Sequence, residues 1–443
     1  MSAFLLRTDV TSWGRVRREK HYVASPNFLD QLPGLLSEGA SNPRGVLACG
    51  LRRSYGDSAL NADGALIDML ALDRFVSFDA ATGLLEAEAG ISLAEILDFA
   101  IPRGFFLPVT PGTKFVTLGG AVANDVHGKN HHLAGTLGRW VRRLTLLRSD
   151  GVELELTPDD ESGLFAATIG GLGLTGIITS VTLQLKPIAS SNMVVNTASF
   201  GDLATFFELS RESAGSHEYS VAWIDCLAEG ANLGRGLMIY GDHAPMGELE
   251  PSNKRGPAVP IDMPEFMLNR LSISAFNSLY YWKGSRNVGP RTVSYDPYFY
   301  PLDSLQHWNR LYGQRGMYQY QSVVPHAVAP DATADMLKTI SRAGAGSFLA
   351  VLKEFGDVPS PGLLSFPRPG TTLALDFPNR GEATLRLLSR LDSIVREAGG
   401  ALYPAKDGRL PAELFRLGYP ELERFSTHLD PGFSSSFWRR IQG

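Results

Sequence analysis

Three small-residue turns in the first third of this 443-residue chain constrain it most: Gly50-Leu51-Arg52-Arg53-Ser54-Tyr55-Gly56-Asp57, Thr117-Leu118-Gly119-Gly120 and His127-Gly128-Lys129-Asn130-His131-His132. Successive backbone amides in such turns, beside basic side chains, suit a bulky and doubly charged phosphate ligand. The first turn gathers Arg52, Arg53, Ser54, Asp57 and Ser58 behind a short apolar run, and an ordinary hairpin loop gives no reason for both arginines to precede it. In the third, His127, Lys129, His131 and His132 form a positive wall against something anionic or electron-rich. The plainer reading there is a polar loop that caps its own backbone.

Two familiar alternatives fail on context. Gly171-Leu172-Gly173-Leu174-Thr175-Gly176 has the letters of the dinucleotide fingerprint, but that motif needs a strand before it and a helix after. Here a β-patterned run from Ile177 to Leu185 follows, so backbone compaction is the expected role. No Walker sequence is present. His127 and His131 have the spacing of a zinc pair, yet Gly128 stands where a zincin would have its glutamate and no third ligand is evident nearby, so no metal is expected.

A chain of this length exceeds the roughly 250 to 300 residues over which one hydrophobic core keeps growing, so two or three domains are expected. The 41 Lys and Arg against 46 Asp and Glu leave a net charge of −5, which removes the electrostatic case for nucleic acid. Arg15, Arg17, Arg18 and Lys20 remain as a local basic cluster that reads as a solvated N-terminal turn rather than a membrane patch. Cys49 and Cys226 suggest neither a disulfide framework nor a thiolate metal site and read as buried small hydrophobes. The N-terminus lacks the apolar run of a signal peptide, and no segment reaches the roughly 18 apolar residues of a membrane span, so a soluble cytoplasmic protein is expected.

From Arg44 to about Pro187 the pattern is strand-rich. Val46 to Ala48, Ala65 to Met69, Phe75 to Phe78 and Leu84 to Ala89 are short apolar stretches between Gly, Asp and Asn turns. Ser92 with Glu95 predicts a capping box, opening a helix with Leu93, Ile96, Leu97 and Ala100 on one face and closed by Pro102 and Gly104. Leu144 to Arg148 and Val152 to Leu156 flank Ser149-Asp150-Gly151 as a hairpin, and Ile177 to Leu185 alternates as a strand that Pro187 ends. Strands and helices do not alternate regularly, so the fold class is α+β. Residues 243 to 264, rich in Pro and Gly, read as a long mobile loop. The aromatic-dense stretch beyond it, with Phe276, Tyr280 and Trp282, then Tyr295, Tyr298, Phe299 and Tyr300, reads mostly as core, an aromatic-lined groove being the lesser alternative. Helical periodicity returns in Asp331 to Ala343 and Ala383 to Ala398. In Tyr403-Pro404-Ala405-Lys406-Asp407 a lysine sits among small residues; it is structural by default and functional if buried against a cofactor.

Together, GLRRSYGDSA, PGTKFVTLGGAVANDVHGKNHH, GGLGLTGII, YQYQSVVP, LALDFP and YPAKDGR resemble the vanillyl-alcohol-oxidase type of FAD-binding flavoenzyme. More narrowly, in order and over nearly the whole chain, they resemble the flavoprotein subunits of the decaprenylphosphoryl-β-D-ribose 2-epimerases. The resemblance implies a two-domain fold in which residues 1–191 bind FAD, an inserted antiparallel-sheet domain at 192–400 binds substrate, and 401–443 return to the FAD-binding domain. It puts FAD contacts on Gly50, Arg53, Ser54, Tyr55, Gly56, Asp57 and Ser58, continued by Gly112, Thr117, Gly119, Gly120, Asn124 and His127 and completed by Ile178 and Tyr403. Substrate positions fall on Lys129, Asn130, Trp223, Gln319, Gln321, Lys353 and Lys406, with Lys406, His127 and Gln321 nearest the chemistry and Lys353 expected at the phosphate.

The implied reaction is FAD-dependent oxidation of the 2-hydroxyl of a polyprenylphosphoryl ribose to the 2-keto sugar, the first half of epimerisation to an arabinose donor. Lys406 would act as base or as a cation beside the reduced flavin. A separate NAD(P)H-dependent reductase would complete the epimerisation. A lipid-linked substrate also suits a loop and an aromatic segment that open toward the inner membrane surface without spanning it. Covalent-flavin relatives carry a histidine where Arg53 stands and often a cysteine just before the TLGG segment; this chain has neither, so noncovalent FAD is expected. Many epimerase members have a cysteine where Ala374 stands, which puts thiol-directed inhibition in doubt and not the chemistry. The alternatives are an alditol or aldonolactone oxidase on the same scaffold, or a flavin- or lipid-binding protein without turnover.

Overall fold

Short apolar runs between turn residues become the strands Val46–Cys49, Ala65–Asp68, Phe75–Asp79 and Leu84–Glu88 in the computed structural model, which describes residues 3–213, 215–252, 256–287 and 289–443. Val46–Cys49 and Ala65–Asp68 pair in parallel at one end of a four-stranded sheet completed by His21–Ala24 and Leu5–Arg7. The first glycine turn therefore leaves the carboxyl end of a parallel strand, where α/β-type sheets commonly receive ligands.

A second, antiparallel sheet runs in the order Phe75–Asp79, Leu84–Glu88, Ile177–Gln184, Val141–Leu147 and Glu153–Leu156. Its last two strands form the expected hairpin. Ser92 caps the helix Leu93–Ala100, its hydroxyl accepting from the Glu95 amide at 3.2 Å while Glu95 reaches back to the Ser92 amide at 2.9 Å. The run Gly171 to Gly176 follows the helix Leu164–Thr168 and leads into a strand, the reverse of a dinucleotide turn.

Eight antiparallel strands make the largest sheet, from Arg291–Ser294 at one edge through Asn192–Phe200, Gly236–His243, Tyr219–Ile224, Ala350–Phe355, Gly370–Pro378 and Met317–Val324 to Ala401–Leu402. The amphipathic helices Ala329–Arg342 and Glu382–Glu397 bury Met336, Leu337, Ile340, Leu387, Leu388 and Leu391 in one core with Tyr320, Leu373 and Leu375 of the sheet. The α+β expectation, with a large antiparallel sheet, holds.

Some local expectations need correction. Pro187 does end the extended run, but only after Lys186–Pro187 pairs with Phe105–Phe106 in a two-stranded ladder where a missing amide is tolerated. Within the basic cluster Arg15 is not merely solvated: its fork binds Asp262 at 2.5 and 3.0 Å. That pair tethers the 243–264 loop, of which residues 253–255 lie outside the described residues. Aromatics at 295–300 are core, as expected, but Phe276, Tyr280 and Trp282 lie exposed on an unforeseen helix, Arg270–Gly284.

The C-terminal segment closes back on the first turn. Val46 and Gly432 to Ser434 exchange backbone hydrogen bonds of 2.9 and 3.0 Å. The Arg440 fork grips fully buried Asp57 at 2.8 and 2.9 Å and reaches Asp407 at 3.0 Å. Arg440→Ala would leave buried Asp57 only the longer Arg17 contact at 3.5 Å and take the nearest cation from Asp407, a loss approaching that of a broken buried pair, about 3–5 kcal/mol. A urea midpoint equal to the parent's would show that this clasp contributes nothing.

Candidate active site

The three turns meet because their glycines let backbones touch. A Cβ on Gly50 would lie 2.1 Å from Thr117 Oγ1, and one on Gly119 would lie 2.8 Å from the Ala89 methyl. Thr117 caps the short helix Leu118–Ala123, its hydroxyl accepting from the Gly120 amide at 3.2 Å. Between these turns and the large sheet opens a cavity of about 1440 Å³. Pockets for drug-sized ligands span roughly 300–1,000 Å³, so this one has room for a large cofactor and a substrate together.

One wall is made of Gly50, Arg53, Ser54, Tyr55 and Ser58, and the next of Gly112, Thr117, Gly120 and Asn124. Arg53 donates to the Phe115 carbonyl at 3.1 Å and stacks 4.0 Å from the Trp13 ring. The hydroxyl of Ser58 and the side-chain oxygen of Asn124 are buried without a hydrogen-bond partner, as donors and acceptors awaiting a polar ligand would be. Tyr403 holds Asn124 in place, donating to its carbonyl at 3.0 Å. These residues fit the diphosphate and ribityl chemistry of FAD.

Five expected positions do not line the cavity, and each has a structural reason. Asp57 faces Arg440, while Gly56 packs on the Asp407 carbonyl, where any Cβ would collide. Gly119 is pressed against Ala89. Ile178 is buried within the sheet core. Asn130 turns inward and donates to the Pro108 carbonyl at 2.9 Å. The side chains of Asp57, Ile178 and Asn130 therefore face the protein interior rather than the cavity.

The opposite wall comes from the large sheet, where Trp223, Gln319, Gln321, Lys353 and Ala374 point into the cavity, with Lys406 and Tyr403 beside them. His127 stands at the junction. Its Nε2 lies 3.1 Å from the Gln321 amide nitrogen and its Nδ1 2.9 Å from Lys353 Nζ. Burial, then the charges of Lys353, His131 and Lys406, push His127 well below its ordinary value. A neutral imidazole carries one N–H, so the proton on Lys353, the tautomer of His127 and the orientation of the Gln321 amide are coupled. His131, the other half of the supposed zinc pair, packs 4.5 Å from the Phe355 ring instead.

Three lysines cluster on this side of the cavity, apart from Lys114, which pairs with Asp296 at 2.6 Å. Burial lowers Lys129 to about 7; burial, then Lys129 and Lys406, lower Lys353 to about 7. Lys406 is lowered by burial to about 8, against the pull of Asp376. Its ammonium sits 4.3 Å from the Tyr55 ring. Lys129 donates to the Tyr298 carbonyl and lies 4.3 Å from that ring, whereas Lys353 donates to the Gly128 carbonyl at 3.1 Å.

Asp376 was not singled out from sequence. Fully buried in the strand Gly370–Pro378, it accepts from Gln319 Nε2 at 2.6 Å, and its other oxygen has no partner. Burial raises it to about 7, against Gln319 and Lys406. Gln319 also lies close enough to Tyr55 to oppose the burial that raises its hydroxyl well above the ordinary value. The usable signal was an acid between Leu375 and Phe377 in an otherwise apolar run. Asp303 was also missed; it pins the Gly112 turn by accepting from Thr113 Oγ1 at 2.7 Å and the Lys114 amide at 2.9 Å.

Comparison with known proteins agrees with this architecture. The FAD binding domain family matches residues 21–157. The decaprenylphosphoryl-β-D-ribose oxidase of Mycolicibacterium smegmatis is 37% identical over 97% of this chain and 96% of its own length. The chain belongs to the decaprenylphosphoryl-β-D-ribose oxidase family. An uncharacterised protein of Streptomyces coelicolor is 34% identical over 79% of the chain and 100% of its own. An alditol oxidase of a Streptomyces species is 26% identical over only 41% of the chain. Full-length likeness thus lies with the oxidase family named above, and the alditol oxidase likeness is partial.

The lowered lysines give a signed pH dependence. Between pH 7 and 10.5 the unfolded chain holds protons that folded Lys129 and Lys353 have released, so stability rises with pH, by up to about 1.4 kcal/mol per pH unit for each proton. Flavin-free protein should therefore gain stability from pH 7 to 9 in urea titrations, and Lys353→Met should gain less. Parallel slopes for the two proteins would contradict the burial of this ammonium.

Proposed function

We propose that this protein oxidises the 2-hydroxyl of a polyprenylphosphoryl-β-D-ribose to the 2-keto sugar with noncovalently held FAD. The observation that carries the reading is the convergence of Lys406, His127 and Gln321 with the glycine turns in one cavity, in a chain of this family. When bound, FAD supplies the acceptor for the hydride leaving the sugar C2. Arg53, Ser54, Ser58, Gly112, Thr117 and Asn124 would hold it. Residues 1–191 and 401–443 would form the FAD-binding unit and 192–400 the substrate unit.

Lys406 takes the hydroxyl proton. Near pH 8 about half of its amine is neutral, and a base with a pKa near the working pH transfers protons most effectively. Asp376 and Tyr55 position that amine, and Gln319 lies beside both. His127 and Gln321 orient the furanose hydroxyls. Lys129 and Lys353 give this wall its positive potential toward the substrate phosphate. The keto product requires a separate NAD(P)H-dependent reductase to reach the arabinose configuration.

Anaerobic bleaching of the flavin by polyprenylphosphoryl ribose, and not by free polyols, is the direct test; bleaching by polyols alone would favour the alditol oxidase reading. The reduction rate should rise with pH to a plateau above about 8, and Lys406→Ala should keep FAD and lose reduction by at least about a hundredfold. Asp376→Asn removes the anion that raises Lys406, so the rising limb should move to lower pH. A limb that stays in place would remove Asp376 from the assignment. Acid precipitation should release all of the flavin into solution, because neither residue of the covalent type is present; yellow pellet protein would overturn noncovalent binding.

A further inference from the structure

The helix Arg270–Gly284 touches the body of the protein along a narrow stripe. Ile273 and Asn277 are its buried residues, and Asn277 Nδ2 donates to Asp225 Oδ1 at 2.9 Å. At helical spacing the face opposite this stripe carries Leu271, Ala275, Leu279 and Trp282. Leu271 is 81% exposed, Leu279 62% and Trp282 51%, and Phe266 just before the helix is 75% exposed. Such a contiguous apolar ridge marks a surface that is covered in use.

Charge on the segment is one-sided. Residues 266–295 contain Arg270, Lys283, Arg286 and Arg291 and neither Asp nor Glu, in a chain whose net charge is −5. The Arg286 guanidinium lies 3.7 Å from the Trp282 ring. A third side of the same segment lines the cavity through Met267, Leu268, Ser272, Phe276 and Tyr280, with the Tyr280 ring 4.7 Å from that of Trp223 and tilted 56° to it. One helix therefore presents an apolar ridge outward and an aromatic rim to the site.

We propose that this helix docks the protein on an anionic phospholipid surface. Leu271, Leu279 and Trp282 enter the headgroup boundary while Lys283 and Arg286 meet the anionic headgroups. A polyprenyl chain then passes from the bilayer into the cavity beside Phe276 and Tyr280. A second copy of the chain is the poorer occupant, since Arg270 is paired with Glu229 at 3.1 Å and a two-fold contact would set Lys283 and Arg286 against their own copies. The lipid route rests on the substrate proposed above, but docking itself requires only the bilayer.

The test sediments purified holoprotein with vesicles of phosphatidylcholine, with and without phosphatidylglycerol and free of any sugar lipid. The parent should partition onto the anionic vesicles, less so at high salt. Leu271→Ser/Leu279→Ser/Trp282→Ser should keep its flavin content and visible spectrum yet lose about tenfold or more in partitioning. Lys283→Glu/Arg286→Glu should abolish the preference for phosphatidylglycerol. A parent that stays in the supernatant, a triple variant that sediments equally well, or self-association through these residues in place of vesicle binding each overturns the proposal. Vesicle binding without flavin bleaching by polyprenylphosphoryl ribose would sink the substrate reading and leave docking intact; bleaching without vesicle binding would do the reverse.

Discussion

Keeping three lysines out of water is the condition on which the site is built. An ammonium buried without a full counter-charge loses much of its hydration, and proteins meet that cost by letting the proton go. Lys406 lies beside Asp376, itself buried enough to hold its proton near neutrality, whereas the charges that act on Lys353 are those of Lys129 and Lys406. This corner of the enclosure is thus short of negative charge. Anionic groups entering it would restore protons to these amines and gain affinity by doing so.

The scaffold that encloses them depends on backbones meeting without side chains between them. Gly50 against Thr117, Gly119 against Ala89 and Gly56 against the Asp407 carbonyl are contacts that any Cβ would break. The last of these joins the first turn to the segment carrying Lys406, and the Arg440 fork on Asp57 and Asp407 locks the same junction. Cofactor-side and substrate-side walls are consequently held in register by residues about 350 positions apart in sequence, Gly56 and Asp407 among them.

Local pattern made much of this legible. The Ser92 capping box, the Ser149-Asp150-Gly151 hairpin and the exclusion of the Gly171 to Gly176 fingerprint all rest on short-range rules, and the structure follows them. The motif resemblance located the walls of the cavity but could not separate side chains that face it from neighbours that support it. Asp57, Asn130 and Ile178 belong to the second kind, because their partners Arg440, Pro108 and the sheet core are distant in sequence. The helix Arg270–Gly284 escaped notice for a different reason. Its apolar residues cover most of its circumference, so no single-faced periodicity stands out.

Ala374 lines the substrate wall with a methyl group, and Cys49, the one cysteine on the cavity lining, is held protonated by burial, which pushes its thiol up to about 11. Electrophiles designed to form thioethers find no ready sulfur nucleophile at this lining. The desolvation that keeps thiols inert does the opposite for amines: Lys353 is about half uncharged near pH 7 and Lys406 near pH 8. Aldehydes able to condense with a primary amine are therefore the chemical class to which this enclosure is reactive.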